Sequence, residues 1–591
     1  MSKLEDLPDE ILIEICLYLT SIDTLNAFGY LNTRIERTIT QFRSDIDYQY
    51  LTHSQFQRFT SIHLSYNAEY IRKLTFNCWY TPGAISSFHQ LTQQYEDLHE
   101  FLPLLEQINL FYFNNRDVDI LRKILSIETV CIEFDSQVPL LYSTQTQLDH
   151  YLFCVPNSIK DLRLYGSERG LSLKHYVSVR PSKTLEKLII SVSTLDDLIL
   201  LFRRAPFLTK LHVEINRFDY APPRQYAAVN IMPKHLKDFQ LWLKDKQILL
   251  FQSLYVLLIN MPSIERLGLE IESDDIEYAS GFHWKELLTD LPNLSHFEMG
   301  LKLSIGFGNV PIDVTPHLET FSANSIDVCC YADTHVLYID TIPYNFNNPV
   351  GIMTSPRASQ AQSTNSKVFK QTPRNVSVIY LNGRHQATST QDWLTVIQRF
   401  PRVRAVDLMS INVTDELASD YPVFQLSNLT VLRLIRSTKC NINLSLFLYL
   451  TNQNVTPRLR TLTTMYGDLI YLCKRLSDDL SFQQIKELCI YAHGADGRIR
   501  LKDLDLLLKY FPNLEYVWFN LESSRTINKY ANSIIEKLLF SIKNLICLRI
   551  VVKKHFLRMP NSQTIERLCQ IDNCDQVKII NDKKEFSIWK K

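Results

Sequence analysis

The stretch LEKLII, residues 185–190, decides the fold, because its pattern recurs along the chain. In it an apolar residue is followed three and five positions later by two more. Further clear copies begin at Leu208, Leu236, Ile264, Leu294, Val403, Leu429, Ile485, Leu514 and Leu545, and degenerate copies begin at Leu105, Ile127 and Ile159. We count about sixteen copies at a mean spacing of about 27 residues. This periodicity predicts a chain built from repeated structural units.

Each copy has the alternation of a short strand whose apolar side chains point to one side. Helical segments such as LDDLILLFRR (195–204) and LKDLDLLLKYF (501–511) lie between the copies. Several of these segments end just before a proline, which stops a helix: Pro206, Pro262, Pro292, Pro401 and Pro512. The pattern therefore predicts alternating strands and helices, in which each unit buries its apolar face only by stacking on its neighbours.

This pattern resembles that of leucine-rich repeats, whose units have a similar length. The resemblance implies an α/β fold, a curved solenoid with parallel strands inside and helices outside. A conventional doubly wound sheet is the alternative, but it needs far fewer strands and longer crossovers.

Composition narrows the class of protein. The chain has 591 residues, which exceeds one compact core, and Lys plus Arg equals Asp plus Glu at 63 each. We therefore expect neither nucleic acid nor a membrane surface as a partner. The twelve cysteines form no CxxC pair, and the amino terminus is acidic where a secretory signal is basic. We expect a protein of the cytoplasm or nucleus, without a transmembrane segment.

The first 45 residues show a different pattern, an amphipathic helix followed by one or two more. Pro8 suits the start of a helix, and apolar residues then follow at intervals of three and four, as on one face of a helix. Leu7-Pro8-x-Glu10-Ile11, followed by Ile15, Tyr18-Leu19, Asp23 and Leu25, resembles the F-box motif.

The F-box resemblance implies binding to a Skp-type adaptor, and through it to the cullin of a ubiquitin ligase. The residues it assigns to the adaptor-binding surface are Leu7, Pro8, Ile11, Leu12, Ile15, Leu19 and Leu25. The alternative is that these short helices pack on the rest of the chain.

The sequence divides into five parts. They are adaptor-binding helices at 1–45, a connecting region with a first degenerate repeat at 46–100, repeats at 101–344, a polar insertion at 345–374, and further repeats with a carboxy-terminal cap at 375–591. The repeat register breaks between a copy at Leu318 and one at Val376. The insertion is rich in Asn, Ser, Thr, Gln and Pro, and we expect a mobile surface loop.

The outward-facing strand positions form the expected recognition surface. In the second half they are unusually apolar, and the residues assigned to substrate binding are Met409, Ile435, Met465, Tyr491, Tyr516 and Trp518. Exposed apolar patches mark interaction sites, so a protein substrate or the chain's own tail is expected to dock there. The alternative, weighed equally, is that the register slips and some of these residues are core.

Catalytic and metal-binding motifs are absent from the sequence, which has no GxSxG, P-loop or HExxH pattern. We therefore expect no enzymatic activity, no cofactor and no metal. The combined resemblances imply a substrate receptor of a ubiquitin ligase that binds an adaptor and a protein substrate. The alternative is a repeat scaffold that is not assembled into a ligase.

Overall fold

The structure is a computed structural model that describes most of residues 7–589. The positions outside the described part are 1–6, 30, 49–50, 52, 82, 136–139, 167–169, 174–180, 217–232, 244–248, 306–311, 333–334, 342–351, 355–361, 365–377, 383–388, 399, 401, 410–424, 436–443, 478, 493–498, 524–533, 536, 539–540, 543–544, 546, 555–577, 583–584 and 590–591. The described residues form a mixed α/β fold with two large sheets of mostly parallel strands. This arrangement is compatible with a leucine-rich-repeat-like solenoid.

The first sheet has 13 strands. They are β1 Asp45–Asp47, β2 Lys73–Asn77, β3 Gln107–Phe113, β4 Thr129–Phe134, β5 Asp161–Tyr165, β6 Lys187–Val192, β7 Lys210–Ile215, β8 Asp238–Leu243, β9 Arg266–Ser273, β10 His296–Leu303, β11 Val328–Ala332, β12 Leu337–Thr341 and β14 Gln362–Ser363. Strands β1 to β10 lie side by side in chain order, and each pairs in parallel with the next.

The second sheet has 10 strands. They are β13 Ile352–Thr354, β15 Val378–Asn382, β16 Ala405–Met409, β17 Val431–Ile435, β18 Thr461–Met465, β19 Glu487–Ala492, β20 Tyr516–Ser523, β21 Cys547–Lys554, β22 Lys578–Asp582 and β23 Glu585–Trp589. From β13 through β21 the neighbours pair in parallel, and β23 and β22 then add antiparallel strands at the far edge.

The repeated sequence motif maps directly onto these strands. All ten clear copies and all three degenerate copies quoted from the sequence become strands, and each strand begins two residues after the first apolar residue of its copy. In the copy that begins at Leu185, the side chains of Leu188 and Ile190 are buried. The expectation of stacked parallel strands is thus confirmed for these copies.

Helices and turns connect the strands. The α-helices are α1 Asp9–Leu17, α2 Ser21–Phe28, α3 Thr33–Thr38, α4 His53–Arg58, α5 Leu64–Asn67, α6 Ala84–Leu91, α7 Leu98–Phe101, α8 Tyr142–Asp149, α9 Leu195–Arg204, α10 Phe251–Ile259, α11 Gly281–Thr289, α12 Thr315–Ala323, α13 Thr390–Gln398, α14 Leu444–Leu450, α15 Tyr466–Cys473 and α16 Leu501–Tyr510. Shorter helical turns span Thr40–Arg43, Phe59–His63, Val118–Lys123, His150–Cys154 and Ile276–Ala279. No helix in the described part of the chain is long and apolar enough to cross a membrane.

The boundary between the two sheets differs from the sequence prediction. Leu318 lies in α12 and not in a strand. Strands β11 and β12 form an antiparallel pair that ends the parallel run of the first sheet. Antiparallel pairing satisfies the backbone groups of an edge that a further parallel repeat would otherwise cover.

This antiparallel pair also joins two hydrophobic cores. Cys330 and Ile339 belong to the core of the first sheet, whereas Tyr331 and Tyr338 belong to the core of the second. The two tyrosine rings stack with centroids 4.7 Å apart. The two halves are therefore linked through side chains as well as through the chain.

Most of the predicted insertion at 345–374 lies outside the described residues. The parts that are described pair with the sheets: β13 lies beside β15, and β14 lies beside β11. These two short stretches are strands, which the expectation of a surface loop did not anticipate.

The three amino-terminal helices share the core of the repeats. Leu12, Leu25 and Ile35 belong to the same cluster of buried side chains as the strands of the first sheet. Helix α2 contacts β1, the first strand of this sheet, so the helices lie at the first edge of the sheet.

This shared core can be tested with two leucines of α1. Leu12 is 0% exposed and Leu17 is 65% exposed. We expect Leu12→Ala to lower the free energy of unfolding by about 2–5 kcal/mol, since a buried leucine leaves a cavity. Leu17→Ala should change it by less than about 0.5 kcal/mol. Urea titration followed by circular dichroism measures both, and a separate early transition for the helices would contradict a shared core.

Candidate functional site

The amino-terminal helices are held in place by local polar contacts. The side chain of Thr20 accepts a hydrogen bond from the backbone N–H of Asp23 (3.1 Å), and that of Asn32 accepts one from the N–H of Ile35 (2.9 Å). These bonds satisfy donors at the starts of α2 and α3. Arg34 of α3 forms an ion pair with Asp9 of α1 (2.8 Å). The first helix is thus fixed against the third.

The residues assigned to adaptor binding differ in their exposure to solvent. Pro8, Ile11 and Leu19 are exposed, and the exposed fractions of Ile11 and Leu19 are 46% and 38%. Leu7 and Ile15 are half-buried, whereas Leu12 and Leu25 are buried in the core. Ile11 and Ile15 lie on one side of α1, and Pro8 and Leu19 flank the helix at its two ends. We call these four residues the helical face.

Three further apolar side chains near the helical face are exposed but were not assigned from the sequence. They are Leu17, Tyr18 and Leu31. Leu17 and Tyr18 end the first helix, where the three-and-four periodicity does not reveal which side faces solvent. Leu31 lies in the connection before α3.

The second candidate surface is formed by the outward side chains of β16 to β21, which we call the inner face. Val517 and Phe519 of β20 lie in the repeat core, so the alternating residues Tyr516 and Trp518 point to the opposite side. Met409, Met465 and Tyr491 are half-buried. Ile435 belongs to β17, but its side chain lies outside the described residues. Along β20 the register is the predicted one and has not slipped.

Two of the three aromatic side chains expected to be exposed are instead buried. Tyr516 and Trp518 are each 4% exposed. Trp79, in the turn after β2, packs directly against the Trp518 ring. Its neighbour Tyr80 meets Tyr516 edge to face, with ring centroids 4.9 Å apart. Residues from the beginning of the solenoid therefore cover part of the inner face.

Polar contacts tie the same two regions together. The Tyr80 hydroxyl donates a hydrogen bond to Glu487 Oε2 (3.0 Å), across 407 positions of sequence. Arg549 of β21 forms a buried ion pair with Asp135, which follows β4, at 2.5 Å. The Arg549 guanidinium also lies over the Trp518 ring, 4.6 Å from its centroid. We call this meeting of Trp79, Tyr80 and Asp135 with Glu487, Tyr516, Trp518 and Arg549 the junction.

A backbone irregularity brings one more aromatic ring to the junction. The register between β3 and β4 shifts at Tyr112, which has a φ of 57°. A left-handed conformation is unusual for a bulky residue, and bulges of this kind redirect side chains. The Tyr112 ring packs against Trp79 with centroids 4.9 Å apart.

Burial changes the acidity of carboxyl groups near the junction. Burial raises the pKa of Glu487, although Thr461, Arg460 and Tyr80 oppose the shift. Burial also raises the pKa of Glu133 on β4 to about 6, and Arg433 of β17 lowers it in part.

The sequence did not identify Trp79, Tyr80, Tyr112, Asp135 or Arg549 as functional residues. The first two follow a strand, and nothing in their local pattern indicates a partner four hundred positions away. Arg549 occupies an outward strand position, so its side was predictable but its partner was not.

The comparisons with known proteins identify no family. No protein-family model and no curated protein matches this chain. Among solved structures, it is similar to a chain in the crystal structure of a TLR13–ssRNA13 complex, at 14% identity and a TM-score of 0.24. The match covers 80% of this chain and 64% of the solved chain. A likeness this weak carries no argument about function.

Two groups of side chains stand out among the described residues. No group of three or more His, Cys, Asp or Glu side chains among them could hold a metal ion. The helical face offers exposed apolar side chains, and the junction offers aromatic rings and a buried charge pair.

The junction ion pair can be tested by removing one charge. Asp135 and Arg549 are 0% and 4% exposed, and Asp135→Asn leaves Arg549 buried without its counter-charge. We expect a loss of about 3–5 kcal/mol in the free energy of unfolding. The control is Glu265→Gln, which removes the exposed pair with Lys237 and should cost no more than about 1 kcal/mol. Equal effects in urea titrations would contradict the buried pairing.

The raised pKa of Glu133 predicts a pH dependence. The unfolded carboxyl releases its proton near pH 4.5, and the folded one near pH 6, so stability falls as pH rises between these values. Glu133→Gln mimics the protonated carboxyl, so the stability of this variant should not fall as the pH rises over this range. We expect the variant to gain stability over the wild type above about pH 6 but not below pH 4.5. Unfolding midpoints at both ends of this range measure the difference, and a constant difference would refute the shift.

Proposed function

We propose that this chain is a non-catalytic recognition subunit of a ubiquitin ligase of the Skp, cullin and F-box type. Helices α1 to α3 act as an F-box that binds a Skp-type adaptor and, through it, a cullin. The strands and helices that follow act as a leucine-rich-repeat solenoid that binds a protein substrate, in the cytoplasm or the nucleus.

The exposure of apolar side chains on the helical face carries this proposal. Ile11 of α1 and Leu19, just after the end of that helix, remain 46% and 38% exposed, whereas Leu12 of the same helix is fully buried. Exposed apolar groups that lie together commonly mark protein interaction sites. These residues are also part of the sequence that resembles the F-box motif, so the resemblance and the exposure support the same partner.

The solenoid supports the second half of the proposal. Parallel stacking of repeats displays a row of outward side chains on each sheet, and such extended surfaces suit the binding of other proteins. The helical face belongs to helices that precede the first strand, whereas the inner face belongs to β16 to β21. One chain therefore offers separate surfaces for an adaptor and a substrate.

A second candidate is a repeat scaffold that binds a partner without joining a ligase. The continuous core of α1 to α3 and the first repeats favours it, because helices that cover the end of a solenoid have a structural role of their own. The two candidates differ in whether the helical face binds an adaptor.

Calorimetry with a purified Skp-type adaptor distinguishes them. We expect the wild type to bind, and the variant Ile11→Ala with Leu19→Ala to lose affinity by about 30-fold or more, since truncated apolar anchors commonly cost 2 kcal/mol or more in total. The control is Phe282→Ala, which removes a side chain that is 62% exposed on α11. It should leave the affinity unchanged.

Because Ile11 and Leu19 are exposed, the double variant should melt at nearly the wild-type temperature. Absence of binding by the folded wild type contradicts the ligase proposal and leaves the scaffold. Equal binding by the wild type and the double variant places the adaptor elsewhere on the chain.

A further inference from the structure

The inner face of the last repeats is covered by side chains from the first repeats, and the covering groups have a defined chemistry. They are two neighbouring aromatic residues, Trp79 and Tyr80, and one carboxylate, Asp135. Each has a specific counterpart on β20 or β21: Trp518, Tyr516 and Arg549.

We infer that this part of the inner face, Tyr516 with Trp518 and Arg549, is a binding surface for an acidic, aromatic peptide segment of a protein partner. The chain's own Trp79, Tyr80 and Asp135 occupy it while no partner is bound. This inference rests on the proposed function, because it names the class of protein substrate that the solenoid accepts.

Charge complementarity specifies the acidic part of the partner. Arg549 is almost fully buried, and its guanidinium is directed at the carboxylate of Asp135. A buried guanidinium retains a strong requirement for an anion, so a segment that displaces Asp135 has to bring a carboxylate of its own.

Aromatic contacts specify the second part. The Trp79 ring packs against the Trp518 ring, and the Arg549 guanidinium lies 4.6 Å from the centroid of the Trp518 ring. The Tyr80 ring packs edge to face against Tyr516, and the Tyr80 hydroxyl donates a hydrogen bond to Glu487. An aromatic side chain in a partner can take either place with the same ring packing and cation contact.

The present occupant leaves hydrogen-bonding groups of this surface unsatisfied. Tyr516 and Trp518 are each only 4% exposed. Within the described part of the chain, neither Trp518 Nε1 nor the Tyr516 hydroxyl has a hydrogen-bond partner. Buried donors without acceptors are rare and unfavourable. An extended peptide carries a row of backbone carbonyl groups, which can accept from both donors and so favour exchange of the occupant.

The covering segment is also suited to leave. Trp79 and Tyr80 lie in a turn after β2 and are not part of a strand pairing. The neighbouring Tyr112 is held in a left-handed conformation by the bulge between β3 and β4. Such conformations persist only while surrounding contacts enforce them.

The test uses a fluorescein-labelled peptide that contains one Trp-Tyr pair flanked by aspartates, and fluorescence anisotropy with the full chain. The variant Trp79→Ala with Asp135→Asn removes two of the three competing side chains, and we expect it to bind the peptide about tenfold more tightly than the wild type, since a competing closed state lowers apparent affinity. Adding Arg549→Gln to this variant should abolish the gain.

Two peptide controls and one protein control accompany the test. A peptide with lysines in place of the aspartates, and one with alanines in place of the Trp-Tyr pair, should both bind weakly to every variant. Phe282→Ala with Glu265→Gln removes an exposed aromatic residue and an exposed acid elsewhere, and it should bind like the wild type.

Equal affinity of the wild type and the opened variant, or equal affinity for the lysine peptide, overturns the inference. If the opened variant does not fold, Tyr80→Phe replaces it, because this change keeps the ring and removes the hydroxyl that bonds to Glu487. A tighter peptide complex for Tyr80→Phe then supports the inference, and an unchanged one overturns it. Adaptor binding depends on Ile11 and Leu19 and is measured separately, so failure of the ligase proposal is distinguishable from failure of this surface.

Discussion

The structure depends on one constraint: a single strand-and-helix unit is too small to bury its own apolar side chains. Each copy of the motif leaves residues such as Leu188 and Ile190 on one side of a strand, and they become buried only when neighbouring strands stack beside it. The parallel order of β1 to β10 and of β15 to β21 follows from this stacking. The same constraint places the intervening residues on the opposite side of each strand.

The sequence predicted the repeats well because their signal is local and is repeated many times. The spacing of LEKLII and its relatives located the strands with a constant offset of two residues, and the alternation predicted which side chains of β20 point away from the core. The boundary between the sheets was harder. Leu318 satisfied the apolar spacing but lies in α12, because a few apolar residues at short intervals suit a helix as well as a strand.

The binding surfaces were only partly predictable. The three-and-four spacing predicted which side of α1 is apolar. It did not distinguish exposed Ile11 from buried Leu12, because the two are adjacent in sequence and both apolar. The junction could not be predicted, because its pairs join residues as far apart as Asp135 and Arg549, separated by 414 positions. Which distant repeats meet depends on small rotations that accumulate over the whole solenoid.

These features give the two ends of the chain related roles. The first helices lie at one edge of the first sheet and display apolar groups, while the turn after β2 covers part of the inner face in the last repeats. A surface with buried rings and a buried guanidinium needs a complementary occupant, and the chain supplies one itself. In our proposal, another protein binds there by exchanging with that occupant.

The central claim is that the first and last repeats touch through Trp79 and Trp518. A double-mutant cycle with Trp79→Ala and Trp518→Ala, measured by urea unfolding, tests it most directly. Side chains in contact are coupled, and the account predicts a coupling energy of about 0.5–1.5 kcal/mol. Strictly additive effects of the two substitutions would contradict it, because they would show that the two rings do not meet in solution.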